Sequence, residues 1–336
     1  MVKKTATLSE VARAAGVSTA AVAKVMYNSR GNTRVGKEKA ELIRKIASEM
    51  NLAPNSAARA LRTGRTKTIG FLSGGSAEIR IRTLTELTKE LEKSGYSMIY
   101  SPSSRYESIY SYAGKLAQNC DAIVVDVSFV DAVFPAVCSD KLLILTSDEQ
   151  AEKYGYPMIR YGHTEGVREA MYYLYEKGHR KIVMFSIAWW HNRDNARVRA
   201  FQKYAEELGL EYAPIEYLAE SYYEVTPEMI SELLKKYSEA TAVFCVCDVV
   251  ALQVIQAAHG LGINVPKDLS VIGFDDITAA AYSVPALTTV RQPNDEVARA
   301  AMNFLMNKLE NTQYEIDYSP KCRLVERNSV DVPKRN

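Results

Sequence analysis

The sequence predicts an α/β protein: an N-terminal three-helix headpiece with a helix-turn-helix, then a short hinge helix, then a two-lobed domain built on parallel sheets. Three observations carry this expectation. Apolar residues recur at helical spacing over residues 7–50, from Thr68 onward apolar runs alternate with amphipathic segments, and charge divides between the two regions. Of 336 residues, the first 66 hold 13 Lys and Arg against 4 Asp and Glu, a net of +9; the remainder holds 29 basic and 36 acidic residues, a net of −7.

In TLSEVARAAGVSTAAVAKVM, Leu8, Val11, Ala12 and Ala15 share one helical face, Gly16 permits a tight turn, and Ser18 is the expected N-cap of a second helix. On that second helix Val22, Val25 and Met26 face the first, which turns Thr19, Ala20, Ala23 and Lys24 outward. A third helix, from about Lys37 to Met50, supplies Ala40, Ile43, Ile46, Ala47 and Met50 to close a small core. An ordinary helical bundle with a solvated basic face would share this periodicity. The concentration of positive charge favours a nucleic-acid surface, because neutralising phosphates releases counterions and supplies much of the affinity.

The segment PNSAARALRTGRT comes next. Asn55 can cap, Ala57, Ala58, Arg59, Ala60 and Leu61 favour helix, and Gly64 can end it. Isolated helices shorter than about 12 residues are marginal in water, so this hinge is expected to form only when paired on DNA; a simple polar linker is the alternative.

Candidate strands are TIGFLSG, YSMIYSP, DAIVVDV, LLILTS, KIVMFSI, TAVFCVCD and LSVIGFDD, with TLTELTKELEKSG and ALQVIQAAHGLG among the intervening helices. Continuous apolar strands alternating with helices imply parallel sheets covered on both faces. The 270 residues from Lys67 onward are too many for one such sheet, so two lobes with a cleft are expected. Ligands bind at the carboxyl ends of strands in such sheets, which singles out Ser73 to Ser76, Asp126 to Ser128, Ser186 to Arg197, Cys247, Asp248 and Asp275.

The chain offers little for chemistry. His163, His179, His191 and His259 are scattered without metal-ligand spacing, and GFLSGGS lacks the Lys-Ser/Thr of a phosphate loop. No nucleophile motif accompanies them, so neither enzyme activity, cofactor nor metal is expected. His179, in GHRK before a strand, reads as structural, and Cys245 and Cys247 read as buried thiols on one face of a strand. Five cysteines, no N-terminal apolar stretch and no segment of transmembrane length fit a cytoplasmic protein with no membrane partner.

LSEVARAAGVSTAAVAKVM, APNSAARALRTGRTKTIGFL, LYEKGHRKIVMFS, VPKDLSVIGFDDI and ALTTVRQP, in this order, resemble the LacI/GalR family of bacterial transcription regulators over nearly the whole chain. The resemblance implies a homodimer on a palindromic double-stranded operator and a periplasmic-binding-protein-like effector domain. It implies a small-molecule effector in the interlobe cleft, with a carbohydrate or derivative as the expected class, and a repressor as the expected sense of control. The organisation is then a DNA-binding domain at 1–53, a hinge helix and linker at 54–66, and an effector-binding and dimerisation domain at 67–330. Its lobes are about 67–160 plus 291–318 and about 161–290 plus 319–330. No leucine heptads near the C-terminal end suggest a tetramerising coiled coil.

By resemblance, Thr19, Ala20 and Lys24 read base edges. Ala20 can touch a thymine methyl, and Lys24 can reach guanine without the fork of an arginine. Ala21 and Ala23 replace two family hydroxyls, so phosphate anchoring is expected from Thr7, Ser18, Lys3 or Lys4, and Arg34. Leu61 matches the wedge inserted into the minor groove, with Ala58 beside it, Arg62 near phosphate and Asn55 at the helix start.

In the effector domain, the position where sugar- and purine-binding members present an arginine matches Asn195, with Arg193 and Arg197 flanking it and the register open. The family's Asn-Asp pair is Cys247-Asp248 here, Asp275 matches the ligand-contacting aspartate or else a strand-end cap, Tyr222 lies near a stacking aromatic, and Ser73 ends the first strand. Arg80, Arg82 and Arg160 raise the option of an anionic effector, although arginines are more often surface residues. The rival from another class is a small-molecule-binding protein or enzyme with a helical N-terminal extension.

Overall fold

The computed structural model describes residues 6–27, 33–52, 60, 63–74, 78–102, 106–127, 134–138, 140–147, 149–188, 195–210, 212–310 and 320–334. The chain divides into two compact units, Met1–Thr66 and Lys67–Asn336.

The first unit contains α1 (Leu8–Ala15), α2 (Thr19–Tyr27) and α3 (Lys37–Glu49). Thr7 starts α1 with a reciprocal capping box: its Oγ1 accepts from the Glu10 N–H at 3.3 Å while its own N–H donates to the Glu10 carboxylate at 2.7 Å. Gly16 ends α1 at φ 61°, the left-handed conformation that favours glycine. Ser18 then caps α2, its Oγ accepting from the Ala21 N–H at 3.2 Å. Val11, Ala12, Ala15, Val22, Ile43 and Ala47 form the buried core, with Val25, Met26, Ile46 and Met50 on its margin. Ala21 is buried too. Gly64 takes φ +66° and donates its N–H to the Ala60 carbonyl at 2.8 Å. Asn55, Ala58, Leu61 and Arg62 lie outside the described residues, as do Lys3, Lys4 and Arg193.

The second unit holds two parallel sheets. The first is ordered β2-β1-β3-β4-β5, from β1 (Thr68–Ser73), β2 (Ser97–Pro102), β3 (Ala122–Val127), β4 (Leu142–Thr146) and β5 (Met158–Arg160). The second is ordered β7-β6-β8-β9, from β6 (Ile182–Ser186), β7 (Ile215–Tyr217), β8 (Ala242–Cys245) and β9 (Ser270–Ile272). An antiparallel pair, β10 (Thr289–Arg291) with β11 (Arg323–Val325), completes the strands. β3, β4, β6 and β8 are buried along their whole length, which is why they read as unbroken apolar runs. β5, β7, β10 and β11 do not stand out in the sequence because each is three residues long and, unlike the equally short β9 in LSVIGFDD, lies in no longer apolar run.

The helices are α4 (Glu78–Ser94), α5 (Tyr106–Ala117), α6 (His163–Glu176), α7 (Ala196–Glu207), α8 (Pro227–Lys236), α9 (Asp248–Gly260), α10 (Thr278–Tyr282) and α11 (Asn294–Glu310). α4 and α11 cover one face of the first sheet through Leu87, Leu91, Val297, Ala301 and Leu305; Ile109, Ala113 and Ala117 of α5 cover the other. A Cβ at Gly70 would sit 2.9 Å from Leu116 Cδ1, so the missing side chain lets α5 approach β1. α6, α7 and α9 pack with the second sheet in a separate core.

Two crossings between lobes matter for the site. Residues 160–163 leave β5 for α6, and residues 291–294 leave β10 for α11, whose apolar face returns to the first core. Gly162 takes φ +64°, and a Cβ there would collide with the Pro320 carbonyl, so this position requires glycine twice over. At Gly166 a Cβ would lie 2.7 Å from Cys322 Cβ and 2.8 Å from Val290 Cγ1, which is how closely α6 lies on β10 and β11. Cys247 is not on the strand with Cys245; it is the N-cap residue of α9.

Candidate DNA interface and effector site

On the headpiece, Thr19 and Ala20 are exposed in the first turn of α2, while Ala23 and Lys24 are half-buried one turn on. Ser18 and Arg34 are exposed. The α2 surface therefore offers one small apolar contact and one long cation, flanked by hydroxyls. Thr7 already spends its hydroxyl on Glu10, donating at 2.9 Å besides accepting the cap bond, so a phosphate contact there would compete with the capping box.

In the second unit, each lobe holds one arginine–aspartate pair beside the ends of its strands. From the first lobe, Arg80 in the first turn of α4 donates to the Asp126 carbonyl at 2.8 Å and pairs with its Oδ1 at 2.5 Å. The Tyr161 hydroxyl donates to Asp126 Oδ2 at 3.0 Å. Burial pushes the Asp126 carboxyl up, and Arg80 and the Tyr161 hydrogen bond pull it back. Ser73, at the end of β1, is buried against the Tyr100 hydroxyl at 3.3 Å.

From the second lobe, Arg197 donates Nη2 to Asp275 Oδ1 at 2.9 Å and Nη1 to the Val246 carbonyl at 2.5 Å, with its Cζ 3.9 Å from the centre of the Phe274 ring. Its Nε points to His163 Nδ1 at 3.4 Å. Gln292 donates Nε2 to the same Asp275 oxygen at 2.6 Å, and its Oε1 lies 3.1 Å from His163 Nε2. These contacts assign the imidazole: Nδ1 faces a donor and must accept, so Nε2 carries the proton. Burial, then the Arg197 and Arg80 charges, hold His163 well below the usual histidine value, consistent with a neutral ring. Asp275 and Asp276 both take positive φ, 123° and 53°. That strain is held by the Asp275 N–H donating to the Val290 carbonyl at 2.8 Å and by Arg291 and Arg327 on the Asp276 carboxylate, each at 2.6 Å.

The remaining expected residues divide. Asn195 caps α7, its Oδ1 accepting from the N–H groups of Arg197 and Val198 at 3.0 and 3.2 Å. Its Nδ2 and Ser186 Oγ are buried with no hydrogen-bond partner among the described residues. The guanidinium that reaches Asp275 is that of Arg197, two residues beyond the Asn195 of the family register. Tyr222 packs against Tyr223 with centroids 4.3 Å apart and the rings tilted by 45°, and burial raises its hydroxyl, with Tyr223, Cys247 and Asp275 adding to the rise. The Cys247 thiol is pushed up to about 12 by burial and then by Asp275, leaving it an inert lining group. Asp248 is wholly buried: Oδ1 accepts from the Thr289 hydroxyl at 2.5 Å and Oδ2 from the Ile277 N–H at 2.8 Å, a brace inside the second lobe.

The arginines behind the anionic option are committed. Arg82 donates to the Asp276 carbonyl at 2.6 Å and to Glu78 at 2.7 Å, Glu78 accepts from the Thr278 N–H at 2.9 Å, and Arg160 pairs with Glu152. Tyr161 and Gln292 went unnoticed in the sequence because they sit on the crossings between lobes. The signal that could have found them is the short polar link where one lobe's last strand hands over to the other lobe's first helix.

The model of the bacterial regulatory proteins of the lacI family matches residues 7–55, and that of the periplasmic binding protein-like domain matches residues 171–330. The HTH-type transcriptional repressor PurR of Escherichia coli O1:K1 / APEC is 30% identical over 346 residues, covering 98% of this chain and 99% of the relative. Among solved structures, the lac repressor dimer bound to operator and the anti-inducer ONPF aligns with a TM-score of 0.84 at 22% identity, over 98% of this chain and 100% of that one. A transcriptional regulator CelR–cellobiose complex aligns with a TM-score of 0.66 at 21% identity, over 96% and 99%. The structures establish the fold, and the match to a repressor along its full length establishes the lineage: the chain belongs to the lacI family of bacterial regulatory proteins.

Proposed function

We propose that this chain represses transcription by binding a palindromic operator as a homodimer, under the control of a small molecule held between the two lobes. The single observation that carries the proposal is the helix-turn-helix unit with Thr19 and Ala20 exposed at the start of α2, in one chain with an α/β unit that holds the Arg80–Asp126 and Arg197–Asp275 pairs. One such unit reads too few base pairs for useful specificity, which a two-fold operator and a dimer supply. Thr19, Ala20 and Lys24 are proposed to read bases. Thr7, Ser18 and Arg34 are proposed to touch phosphate, and Asn55, Ala58, Leu61 and Arg62 to form the hinge.

The proposed effector is an uncharged, hydroxyl-rich molecule, a carbohydrate or a derivative. Among the described residues, Arg80 and Arg197 each face a carboxylate, so a phosphorylated ligand would bring negative charge to guanidiniums that are already matched. Such pairs suit hydroxyls, which donate to the carboxylate and accept from the guanidinium. Ser73, Asn195, Arg197, Tyr222, Cys247 and Asp275 are the proposed contacts, with Asp248 bracing them from behind and Arg193 in the adjoining segment. No described helix is long and apolar enough to cross a membrane, and the protein is proposed to work in the cytoplasm without enzyme activity.

The test is selection of sites from a random duplex library at about 0.15 M salt by the full-length chain, alone and with cellobiose, lactose or glucose 6-phosphate. A palindromic consensus whose enrichment shifts with a neutral sugar is expected; enrichment of no sequence would overturn the proposal. Turnover of a small molecule by the chain lacking residues 1–66 would favour the enzyme reading instead.

A further inference from the structure

Residues 161–163 touch both charge pairs of the cleft at once. The Tyr161 hydroxyl donates to Asp126 Oδ2, whose other oxygen holds Arg80 of the first lobe. Two residues on, His163 Nδ1 accepts from Arg197 Nε of the second lobe. Between them Gly162 sits at φ +64° against the Pro320 backbone, a pivot with no room for a side chain. The second crossing closes the circuit, since Gln292 binds His163 with its carbonyl and Asp275 with its amide. Arg197, His163, Gln292 and Asp275 thus form a ring of four hydrogen bonds, in which two members belong to the lobe crossings and two to the ligand-facing pair.

We infer that Tyr161, His163 and Gln292 are positioning residues that tie the two arginine–aspartate pairs to the lobe crossings, so that a change at one pair alters the relative orientation of the lobes. This rests on reading the cleft as an effector site. Two lobes joined by short crossings reorient by torsion within them, and the φ/ψ change of a hinge is absorbed at few residues. Here those residues are hydrogen-bonded to the groups a ligand would meet. A hydroxyl that competes for Asp275 Oδ1 weakens the Gln292 and Arg197 bonds, which frees His163, and with it the segment that carries Tyr161 to Asp126. His163, Arg197 and Gln292 are buried, where leaving a polar group unpaired is costly, so a change of partner at one member favours a change at the next.

The experiment needs no effector. Nitroxide labels are placed on the full-length chain at Lys89→Cys in α4 and Glu232→Cys in α8, both exposed, while all five native cysteines are buried. The interlobe distance distribution is recorded with and without Asp275→Asn, a ligand-like perturbation of one pair. In the parent the substitution is expected to move the mean distance by about 2 Å or more, the scale of lobe rearrangements. In a Tyr161→Phe background, which removes the hydroxyl bound to Asp126 and to Thr83 of the same lobe, that response is expected to shrink by at least half. In a Gln292→Leu background it is expected to vanish. Equal shifts in the parent and Tyr161→Phe, or no shift in the parent, would overturn the inference. A merely structural tyrosine would lower the melting temperature and leave the response intact. Failure of operator selection, or of its shift by sugars, would remove the effector reading while leaving the distance response as an independent result.

Discussion

Gln292 Nε2 and Arg197 Nη2 converge on a single oxygen of Asp275, at 2.6 and 2.9 Å, so one carboxylate oxygen serves both a lobe crossing and the second lobe's buried guanidinium. The arrangement is costly for stability and useful for recognition. Burial raises the carboxyl of Asp275, and Arg197, then the Gln292 hydrogen bond, only partly offset it. A buried ion pair of this kind contributes little net stability, yet breaking it leaves a buried charge unmatched.

Asp275→Ala is therefore expected to destabilise the second unit by about 3–5 kcal/mol, because the buried Arg197 guanidinium loses the carboxylate that balances its charge. The double variant Arg197→Met with Asp275→Leu is expected to recover a large part of that loss, since no charge then remains to be matched. Urea unfolding of the full-length chains, followed at the second unit, distinguishes the two. A double variant as unstable as Asp275→Ala would mean that the pair itself stabilises the fold.

The pH dependence separates two groups with opposite signs. His163 lies well below its ordinary value through burial and the nearby Arg197 and Arg80. The unfolded chain therefore takes up that proton first: its contribution is complete above about 6.5 and lost as pH falls toward the folded value, by up to about 1.4 kcal/mol per pH unit. Asp248 is raised to about 7 by burial and by Asp275. The native state takes up that proton first, so its burden is present above pH 7 and relieved between about 7 and 4. His163→Gln is expected to flatten the loss of stability between pH 6.5 and 5.5, and Asp248→Asn to remove the gain below 7. Unfolding midpoints at pH 8, 6.5 and 5.5 check both.

How legible all this was in the sequence follows from what each feature depends on. The headpiece was readable because its determinants are local: Gly16 and Ser18 terminate and cap within their own helices, and Ile43 and Ala47 fall at helical spacing. The buried strands of both sheets were readable as apolar runs. The site was only partly so. Asp275 is marked by GFDD, but choosing Arg197 over Asn195 depends on where α7 starts, a boundary set by the Asn195 cap itself. Tyr161 and Gln292 are 131 residues apart, on separate crossings that only the packing of α6 against β10 and β11 brings together.

On the headpiece, base and phosphate roles are separable by their salt dependence. Lys24→Ala is expected to relax preference at one base pair of each half-site, at about 1–3 kcal/mol per site. Arg34→Ala is expected to weaken all sequences alike and to lower the slope of log affinity against log salt by about 1 per protomer. Fluorescence anisotropy on the selected operator and on single-base variants, from low to moderate salt, reads both. If Lys24→Ala lowered affinity uniformly, its place at the base edge would be lost.

The charge balance of the cleft makes the last prediction. Arg80 is matched by Asp126 from within the first lobe, and the Tyr161 hydroxyl already donates to the far oxygen of that carboxylate. Asp126→Asn keeps the shape and an acceptor for Tyr161 but removes the negative charge, so that the half-buried Arg80 keeps its bond to the residue 126 backbone carbonyl and loses the carboxylate that balances its charge. An anion should then do what the carboxylate did. The variant is expected to be stabilised by sulfate or inorganic phosphate beyond the general salt effect, approaching about 2.7 kcal/mol at a hundredfold excess over the dissociation constant, while the parent gains only the general effect. The measurement is thermal unfolding in sulfate against chloride at equal ionic strength. If the parent responded as strongly as Asp126→Asn, the cleft would hold a surplus cation of its own, and the effector would be sought among anions.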